Sequence, residues 1–551
     1  MKYLKWFLKA VRPYSLSITV TMLCHILIAG CAIAFVYVSK KLVDTAVAVL
    51  GGELQSNNLI FWAAAMIAVV LLRIMLNAGR SYLQTIVEIK LKNRLRKRLF
   101  DILLHMQNDG GSRHHSGDIL NRLQEDVRVV SSAFASSLPN LLGTAVQLVA
   151  ALIFLLSLEP MLAVVIIVVV PAGMLIGKFV TRKVRHLTLD IRQSDSKVQA
   201  HLQESLQHVT LLQSMEYTDA SNSALDSLQG RLYGNELRRT RFSVISRIFM
   251  ALAFQAGQTI AFLWGVWGIG AGTVTYGMMT AFLQLVGQIQ RPLVEMSSQV
   301  PSLIHATASI DRIMELESLP REEISESQIL DGVAGVRIVD VSFAYPDSPS
   351  DVLNGFSHDF RPGSRTAVVG PTGVGKSTLI RLLLSLLKPQ KGKIEIYSDA
   401  ADPIAVSPAL RGNLVYVPQG NSLFSGTIRE NLLMGNPEAS DEQLFEALRT
   451  AAADFVFELP SGIDSQCFEA GAGLSEGQAQ RIAIARALLR PGSILLLDEF
   501  SSALDAETEI SLMERLTDRL PDHTMIFITH REKIIDYCDS VLRLSKDQST
   551  C

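Results

Sequence analysis

Cysteine and net charge are both scarce in this sequence, and each scarcity closes off a class of protein. Its five cysteines, Cys24, Cys31, Cys467, Cys538 and Cys551, show neither the close pairs of a zinc site nor a disulfide framework, so they read as buried or free thiols. With 51 Lys and Arg against 53 Asp and Glu, the formal net charge is −2, which gives no reason to expect nucleic acid as a partner. A cleaved signal peptide is not expected either. The first apolar run is long, follows Lys2, Lys5, Lys9 and Arg12, and has no persuasive cleavage site before further apolar runs begin.

What the chain has in excess is apolar length. Hydrophobic residues fill 48% of its 551 positions although 19% are charged, a mixture that implies an apolar region joined to a soluble one. Residues 1–314 hold apolar runs near 14–38, 59–83, 135–158, 161–181, 243–270 and 273–300, each near or above the roughly 20 residues that span a lipid bilayer. They predict six transmembrane helices. Basic clusters at Lys90, Lys92, Arg94, Arg96, Lys97 and Arg98, at Arg182, Lys183 and Arg185, and at Arg238, Arg239 and Arg241 fall on one side. Despite the exception of Lys40 and Lys41, this predicts a multi-pass protein with both termini cytoplasmic. Spans three and four are joined by little more than SLEP, and five and six by AGT. The two long inner connections read as helices, for example EIKLKNRLRKRLFDILLHM, which at ~1.5 Å per residue carry the spans well beyond the membrane.

Residues 315–335, ELESLPREEISESQILDGVAG, are polar without an apolar period and read as a linker. In 336–551, short β-like runs such as RTAVVG and SILLLDE alternate with helical ones such as STLIRLLLSLL, which predicts an α/β domain. GPTGVGKST, residues 370–378, fits the phosphate-binding loop and lies between an apolar strand and a helix. Its residues are Gly370, Pro371, Thr372, Gly373, Val374, Gly375, Lys376, Ser377 and Thr378. Glycines let successive N–H groups turn inward around an anion, Lys376 should reach the terminal phosphates, and Ser377 should ligate Mg2+. SILLLDEFSSALD, residues 493–505, ends an apolar strand in adjacent carboxylates. Asp498 would hold Mg2+, partly through water, and Glu499 would polarise an attacking water.

LSEGQ, residues 474–478, resembles the signature of ABC-type ATPases, usually Leu-Ser-Gly-Gly-Gln. The order of phosphate loop, signature, acidic strand and terminal histidine matches that family, and over essentially its whole length the chain is similar to an exporter-type ABC half-transporter. The resemblance implies an all-α six-helix transmembrane domain followed by an α/β P-loop ATPase domain with a RecA-like core, an antiparallel β subdomain and a helical signature subdomain. It also implies roles for single residues. Tyr345 in FAYP would stack on adenine, Gln419 in VYVPQ would sense Mg2+ and the transmembrane domain, and His530 in IFITHR would contact the γ-phosphate. Asp505 would end the loop that links two ATP sites.

In the family the signature of one subunit closes over ATP held by the other. Ser475, Gly477 and Gln478 would therefore serve a nucleotide on the partner. Glu476 departs from the usual signature glycine. Upstream, Glu469 and Gly471 keep half of the exporter pattern Gly-Glu-Arg-Gly, while Phe468 and Ala470 replace its Gly and Arg. SGDILNRLQEDV, residues 116–127, and ESLQHVTLLQSMEY, residues 204–217, resemble the segments flanking the family's two coupling helices.

The resemblance implies ATP-driven export of an amphipathic or hydrophobic substrate, lipid, peptide or drug-like, by alternating access in a bacterial inner membrane. Glu499, His530, Ser475 and Gly477 are all present, which implies a homodimer with two competent sites; a heterodimer with a second half-transporter is the alternative. An importer on the same fold, for example of metal chelates, and an ATP-gated regulatory membrane protein also stay open. On span six, Thr280, Gln284, Gln288, Arg291, Glu295 and Gln299 share one face within an arc of roughly 100° at 3.6 residues per turn. Polar groups facing lipid are costly, so Gln284, Gln288 and Arg291 are candidates to touch cargo. The alternative is that Arg291 and Glu295 merely tie helices together below the membrane.

Overall fold

The computed structural model describes residues 6, 10–51, 56–107, 116–322, 326–346, 348, 350–468 and 473–545. Within its helices the side chains of 56, 116, 167–183, 185, 250, 297 and 298 are not described. Lys2, Lys5, Lys9, Glu469, Ala470, Gly471 and Cys551, and the side chains of Arg182, Lys183 and Arg185, therefore lie outside the described residues. By packing, the chain divides into two compact units, 1–99 with 120–315 and 100–119 with 316–551.

The first unit is built on long helices: α1 (Ser15–Leu50), α2 (Ser56–Leu104), α3 (Leu138–Leu158), α4 (Pro160–Gln207), α5 (Thr218–Gly270) and α6 (Tyr276–Glu317). The 53 residues of α5 make a rod of ~80 Å, far longer than the ~30 Å of a hydrocarbon core. Helices over Arg12–Leu50, Asn57–Leu104, Gly117–Leu158 and Thr218–Gly270 are, among the described residues, long and apolar enough to cross a membrane. The fourth apolar run lies inside α4, where side chains 167–183 are not described. The sixth lies inside α6, where Gln284, Gln288, Gln290 and Arg291 dilute the apolar composition.

The reversals follow local chemistry. Glu159 is extended and Pro160 opens α4, where its missing N–H would have had no helical partner. Gly272 takes φ 72° between α5 and α6, a conformation open to a residue without Cβ. Val36 of α1, Leu155 of α3, Leu162 of α4, Ala261 of α5 and Phe282 of α6 meet in one apolar core.

Ahead of α3, residues 116–137 wind through α-helix with π turns at Arg122–Asp126 and Ala133–Ser137. The first π turn presents two charges to α6. Asp126, 1% exposed, accepts from Ser309 Oγ at 2.8 Å and from Arg312 Nε at 2.7 Å. Arg122 Nη1 donates to Glu315 Oε2 at 2.8 Å.

In the second unit an antiparallel sheet orders β2 (Leu353–Phe360), β1 (Ala334–Phe343), β4 (Lys391–Ser398) and β5 (Ala401–Ala405). A parallel sheet orders β11 (Ser540–Arg543), β3 (Arg365–Val369), β10 (Thr524–Ile528), β9 (Ile494–Asp498) and β6 (Leu414–Val417). Every residue of β9 and β10 is buried, as expected of central parallel strands covered on both faces. A short pair, β7 (Gly426–Thr427) with β8 (Gln466–Cys467), borders a helical region. The helices used below are α7 (Lys376–Leu383), α8 (Ile428–Leu433), α9 (Asp441–Thr450), α10 (Glu476–Leu488) and α11 (Ala506–Arg519).

The polar stretch before β1 is tied down rather than loose. Glu322 N donates to His105 O at 2.8 Å, and Gln107 N donates to Pro320 O at 2.9 Å. The Glu322 carboxylate takes a bidentate pair from Arg411 at 2.7 and 2.6 Å, and Arg411 also donates to the carbonyls of Leu384 and Ser385 just beyond α7. Polarity without a period hides such anchoring, because the partners are distant in sequence.

The buried carboxylate of the first unit gives a test. Asp126→Ala leaves Ser309 and Arg312 without their acceptor and should lower stability by about 1–3 kcal/mol, read as a lower thermal midpoint of the detergent-solubilised protein. An unchanged midpoint would mean that this contact carries no weight.

Candidate nucleotide-binding site

The site grows from the carboxyl ends of adjacent parallel strands. Strand β3 runs into the loop 370–375, β10 into Thr529 and His530, β9 into Asp498 and Glu499, and β6 into the turn holding Gln419. Loops at these ends of an open parallel sheet are where such folds place ligands. The register pairs Ile528 with both Val368 and Asp498, so three of the motifs leave the sheet at one level.

Glycines shape the loop itself. Gly373 and Gly375 take φ 82° and 109°, and Gly375 caps α7 in the left-handed region. A Cβ on Gly370 would sit 2.6 Å from the carbonyl oxygen of Leu544, and one on Gly375 would sit 2.7 Å from Val352 Cγ1. A cleft of about 540 Å³ opens beside them, bounded by Tyr345, Val352, Thr372, Gly373, Gly375, Lys376, Ser377, Thr378, Gln419 and Glu499.

Lys376 lies 7% exposed at the floor of this cleft. Its Nζ donates to Gly370 O at 2.7 Å and to His530 Nε2. Burial pushes the ammonium below its ordinary range, against the opposite pull of Glu499 and Asp498. His530 Nε2 also stands 3.5 Å from Glu499 Oε1, and Gln419 Nε2 donates to Glu499 Oε2 at 2.5 Å. Glu499 has φ 43° and its N–H bonds to Ile528 O at 2.9 Å, which holds it between the two strands.

Asp498 is equally buried. Its carboxyl is pushed above the usual range by burial first and by Glu499 second. Tyr416 hydrogen-bonds to it, and burial raises the Tyr416 phenol to about 12. A buried carboxylate whose charge is disfavoured fits a divalent cation. Among the described residues no cluster of three His, Cys, Asp or Glu forms, so the residues that would hold a cation here are one carboxylate, Asp498, with Ser377 and Gln419 at the same cleft. That suits Mg2+, which keeps waters and takes further oxygens from phosphates. Tyr345 sits at the rim, its OH 3.0 Å from Thr378 Oγ1 and its ring edge-on to Phe343 at 5.1 Å.

The signature is placed elsewhere. Ser475 caps α10, its Oγ accepting from Gln478 N at 3.2 Å while Gln478 Oε1 accepts from Ser475 N at 2.9 Å. The serine that looked reserved for a ligand thus also closes a capping box. A Cβ on Gly477 would meet Ala503 O at 2.6 Å, so this glycine seats the helix against the loop after β9. Glu476 is exposed in the first turn of α10, the end of a helix that favours negative charge. Asp505 caps α11 through Thr508 N and Oγ1 at 2.9 and 2.8 Å, bonds that hold its carboxyl below the usual range. None of Ser475, Gly477, Gln478 and Asp505 lines the cleft.

Three residues that sequence reasoning left out belong to this network. Tyr416 touches Asp498, and the charge of Arg381 on α7 acts on both. Gln480, fully buried, donates to Glu499 O at 3.3 Å and so joins the signature helix to the acidic strand. Tyr416 and Gln480 lie within quoted motifs, VYVPQ and EGQAQ, but only the fold shows what they touch. In the first unit, Gln288 Nε2 donates to Ala32 O of α1 at 3.1 Å, Gln284 and Gln288 keep Oε1 buried and unpartnered among the described residues, and Arg291 is exposed.

Comparison with known proteins identifies the family and the fold. Residues 18–293 match the family profile described as ABC transporter transmembrane region, and residues 353–502 match the one described as ABC transporter. The chain is 30% identical over 436 residues to a fatty acid ABC transporter ATP-binding/permease protein of Mycobacterium tuberculosis, covering 78% of this chain and 68% of that one. It is 28% identical over 551 residues to a putative multidrug export ATP-binding/permease protein of Bacillus subtilis, covering 98% and 94%. A bacterial Atm1-family ABC exporter solved with ATP bound shares the fold, with TM-score 0.78, 24% identity and coverage of 97% and 94%.

The capping box can be tested apart from any nucleotide. Ser475→Ala should lower stability by about 0.5–2 kcal/mol, whereas Ser475→Thr should retain most of it. Thermal unfolding followed in detergent distinguishes them, and equal midpoints for the two variants would contradict the capping role.

Proposed function

Because the chain belongs to the ABC transporter family, as an exporter-type protein with its membrane and ATP-binding domains in one polypeptide, we propose that two copies of it hydrolyse ATP to move an amphipathic or hydrophobic molecule outward across a bilayer. The observation that carries this reading is the convergence of the loop 370–378, Gln419, Asp498, Glu499 and His530 at neighbouring strand ends. Two of the relatives are named for fatty acid transport and for multidrug export, which supports an amphipathic or hydrophobic cargo here.

The residue roles follow from chemistry. Backbone N–H groups of 370–378 and the N-terminus of α7 receive the phosphates, and Lys376, already desolvated, exchanges its contacts with Gly370 O and His530 for phosphate oxygens. Ser377, Gln419 and Asp498 would hold Mg2+, which when bound supplies neutralising charge beside the phosphates. Glu499 accepts a proton from the attacking water, and Gln419 and His530 orient it and the γ-phosphate. Tyr345 at the rim is placed to cover adenine once its hydroxyl leaves Thr378.

The absence of Ser475 and Gly477 from the lining of their own cleft supports a signature that serves the partner copy, and hence a homodimer. In that pairing Ser475 offers its hydroxyl, Gly477 its N–H and α10 its positive end. The helix Val209–Ser214, at the turn between α4 and α5, exposes Leu211 together with the neighbouring Met215 and Tyr217, an apolar tip suited to docking on an ATPase domain. The other coupling segment is proposed to be flanked by residues 116–127. We assign 1–314 to the membrane domain, 315–335 to the linker and 336–551 to the ATPase, in a bacterial inner membrane with both termini cytoplasmic. Gln284, Gln288 and Arg291 of α6 are proposed to border the cargo path.

Chemistry and direction are tested separately. Glu499→Gln should bind Mg-ATP yet hydrolyse it at least ~10²-fold more slowly, whereas Lys376→Ala should weaken nucleotide binding itself. Near-normal turnover in Glu499→Gln would overturn the base assignment. In sealed proteoliposomes with the ATPase domains outward, ATP should drive uptake of an amphipathic fluorescent dye such as rhodamine 123. ATP-driven loss of preloaded dye from the same vesicles would indicate an importer, and hydrolysis with no flux of any amphiphile a regulatory protein.

A further inference from the structure

Helices α1, α2 and α3 bring together polar side chains that the nucleotide chemistry does not use. His25 of α1 is 6% exposed, and its ring lies so close to α3 that a Cβ on Gly143 would come within 2.1 Å of Nδ1. Arg80 of α2 donates from Nη1 to His25 Nδ1 at 3.3 Å. Gln84, one turn further along α2, donates from Nε2 to Asn140 Oδ1 at 3.0 Å. A guanidinium can only donate, so Nδ1 is the acceptor and the imidazole hydrogen stands on Nε2. That Nε2 and Arg80 Nε are both buried with no hydrogen-bond partner among the described residues, although the Asn140 side chain also stands beside the His25 ring. Arg80 also continues the packed stripe Gln84, Val87, Leu91, Leu95 of α2, a three- and four-residue spacing that turns it towards the other helices rather than lipid.

The choice of anchor matters. A carboxylate in contact with Arg80 would cancel its charge, whereas the neutral imidazole fixes the fork and leaves the charge in place. Glu295 of α6 acts on Arg80 through its field. A guanidinium held this way inside the apolar run 59–83 is expensive unless an anion joins it, and its planar fork matches a carboxylate.

We propose that Arg80, oriented by His25 against Gly143, binds the acidic head group of the molecule this protein transports, so that the cargo is an anionic amphiphile. Arg80 makes the contact and His25 is a positioning residue. The assignment rests on the transporter reading above and deepens it.

The test is equilibrium binding of radiolabelled dodecanoate and dodecanol to the full chain in lipid nanodiscs, with empty nanodiscs subtracted. The two probes share a tail and differ in the head group, so their affinity ratio isolates the charge. The wild type should prefer dodecanoate at least ~10-fold. Arg80→Gln should bring the ratio close to unity, and Arg80→Lys should keep part of the preference. If Arg80→Gln loses both probes through misfolding, His25→Phe carries the test, since it fills the space against Gly143 without holding the fork and should also reduce the ratio. A wild type without preference, or a preference unchanged in Arg80→Gln or His25→Phe, would overturn the proposal. Dodecanol that binds and stimulates ATP hydrolysis as well as dodecanoate does would overturn it while leaving the transporter reading intact. Charge-selective binding with no ATP-dependent flux of dodecanoate would instead count against the transporter reading alone.

Discussion

A buried ammonium sets the terms for the second unit. Lys376 is almost removed from water, and a desolvated cation must be met by oxygens, nitrogens or opposing charge. Gly370 O and His530 supply the contacts, and Asp498 and Glu499 supply the field. None of these four partners is near Lys376 in sequence except Gly370. The parallel order β3, β10, β9, β6 is what delivers them to one place, and the apolar strands that fix this order are the reason the site is preformed. In the proposed reading, phosphates entering the cleft would replace contacts that already exist, so little would have to be reorganised.

The first unit answers the same problem differently. Among the described residues its long helices bury few charges, and Asp126 and Arg122 are shared between elements. Asp126 and Arg122 on a π turn hold the last turns of α6, while His25 and Arg80 bind α1 to α2 beside the small surface of Gly143. Glycine is required at 143 because the imidazole fills the place of its side chain. The first set ties the last turns of α6 to the segment ahead of α3. The second leaves two buried nitrogens, His25 Nε2 and Arg80 Nε, without a hydrogen-bond partner among the described residues, which is why a binding role is proposed for it.

Much of this was legible in the sequence because the phosphate loop, the acidic strand and the signature are local patterns, each imposed by a local need. Gly373 and Gly375 are written into the motif by their positive φ, and six apolar runs announced the helices. Two kinds of information were not legible. Contacts made across strands, such as Tyr416 to Asp498 or Gln480 to Glu499 O, depend on register. Anchors made by polar residues, such as Arg411 to Glu322, sit in stretches whose composition reads as loop. The signature serine shows a third limit, since one residue type can serve a helix end or a ligand, and the spacing Ser475 to Gln478 that writes the capping box is masked by its likeness to a ligand motif.

The central claim is that two copies complete one another's nucleotide sites, and mixed dimers test it most directly. Lys376→Ala alone and Ser475→Ala alone should each leave a homodimer with two damaged sites. Co-assembled, they place both defects in one site and leave the other intact if the signature serves the partner's nucleotide. The steady-state ATP hydrolysis rate of the purified mixed dimer, held in one lipid nanodisc, should therefore rise clearly above that of either homodimer. A mixed dimer as inactive as the two parents would contradict the account, because it would mean that each chain supplies its own signature to its own phosphate loop.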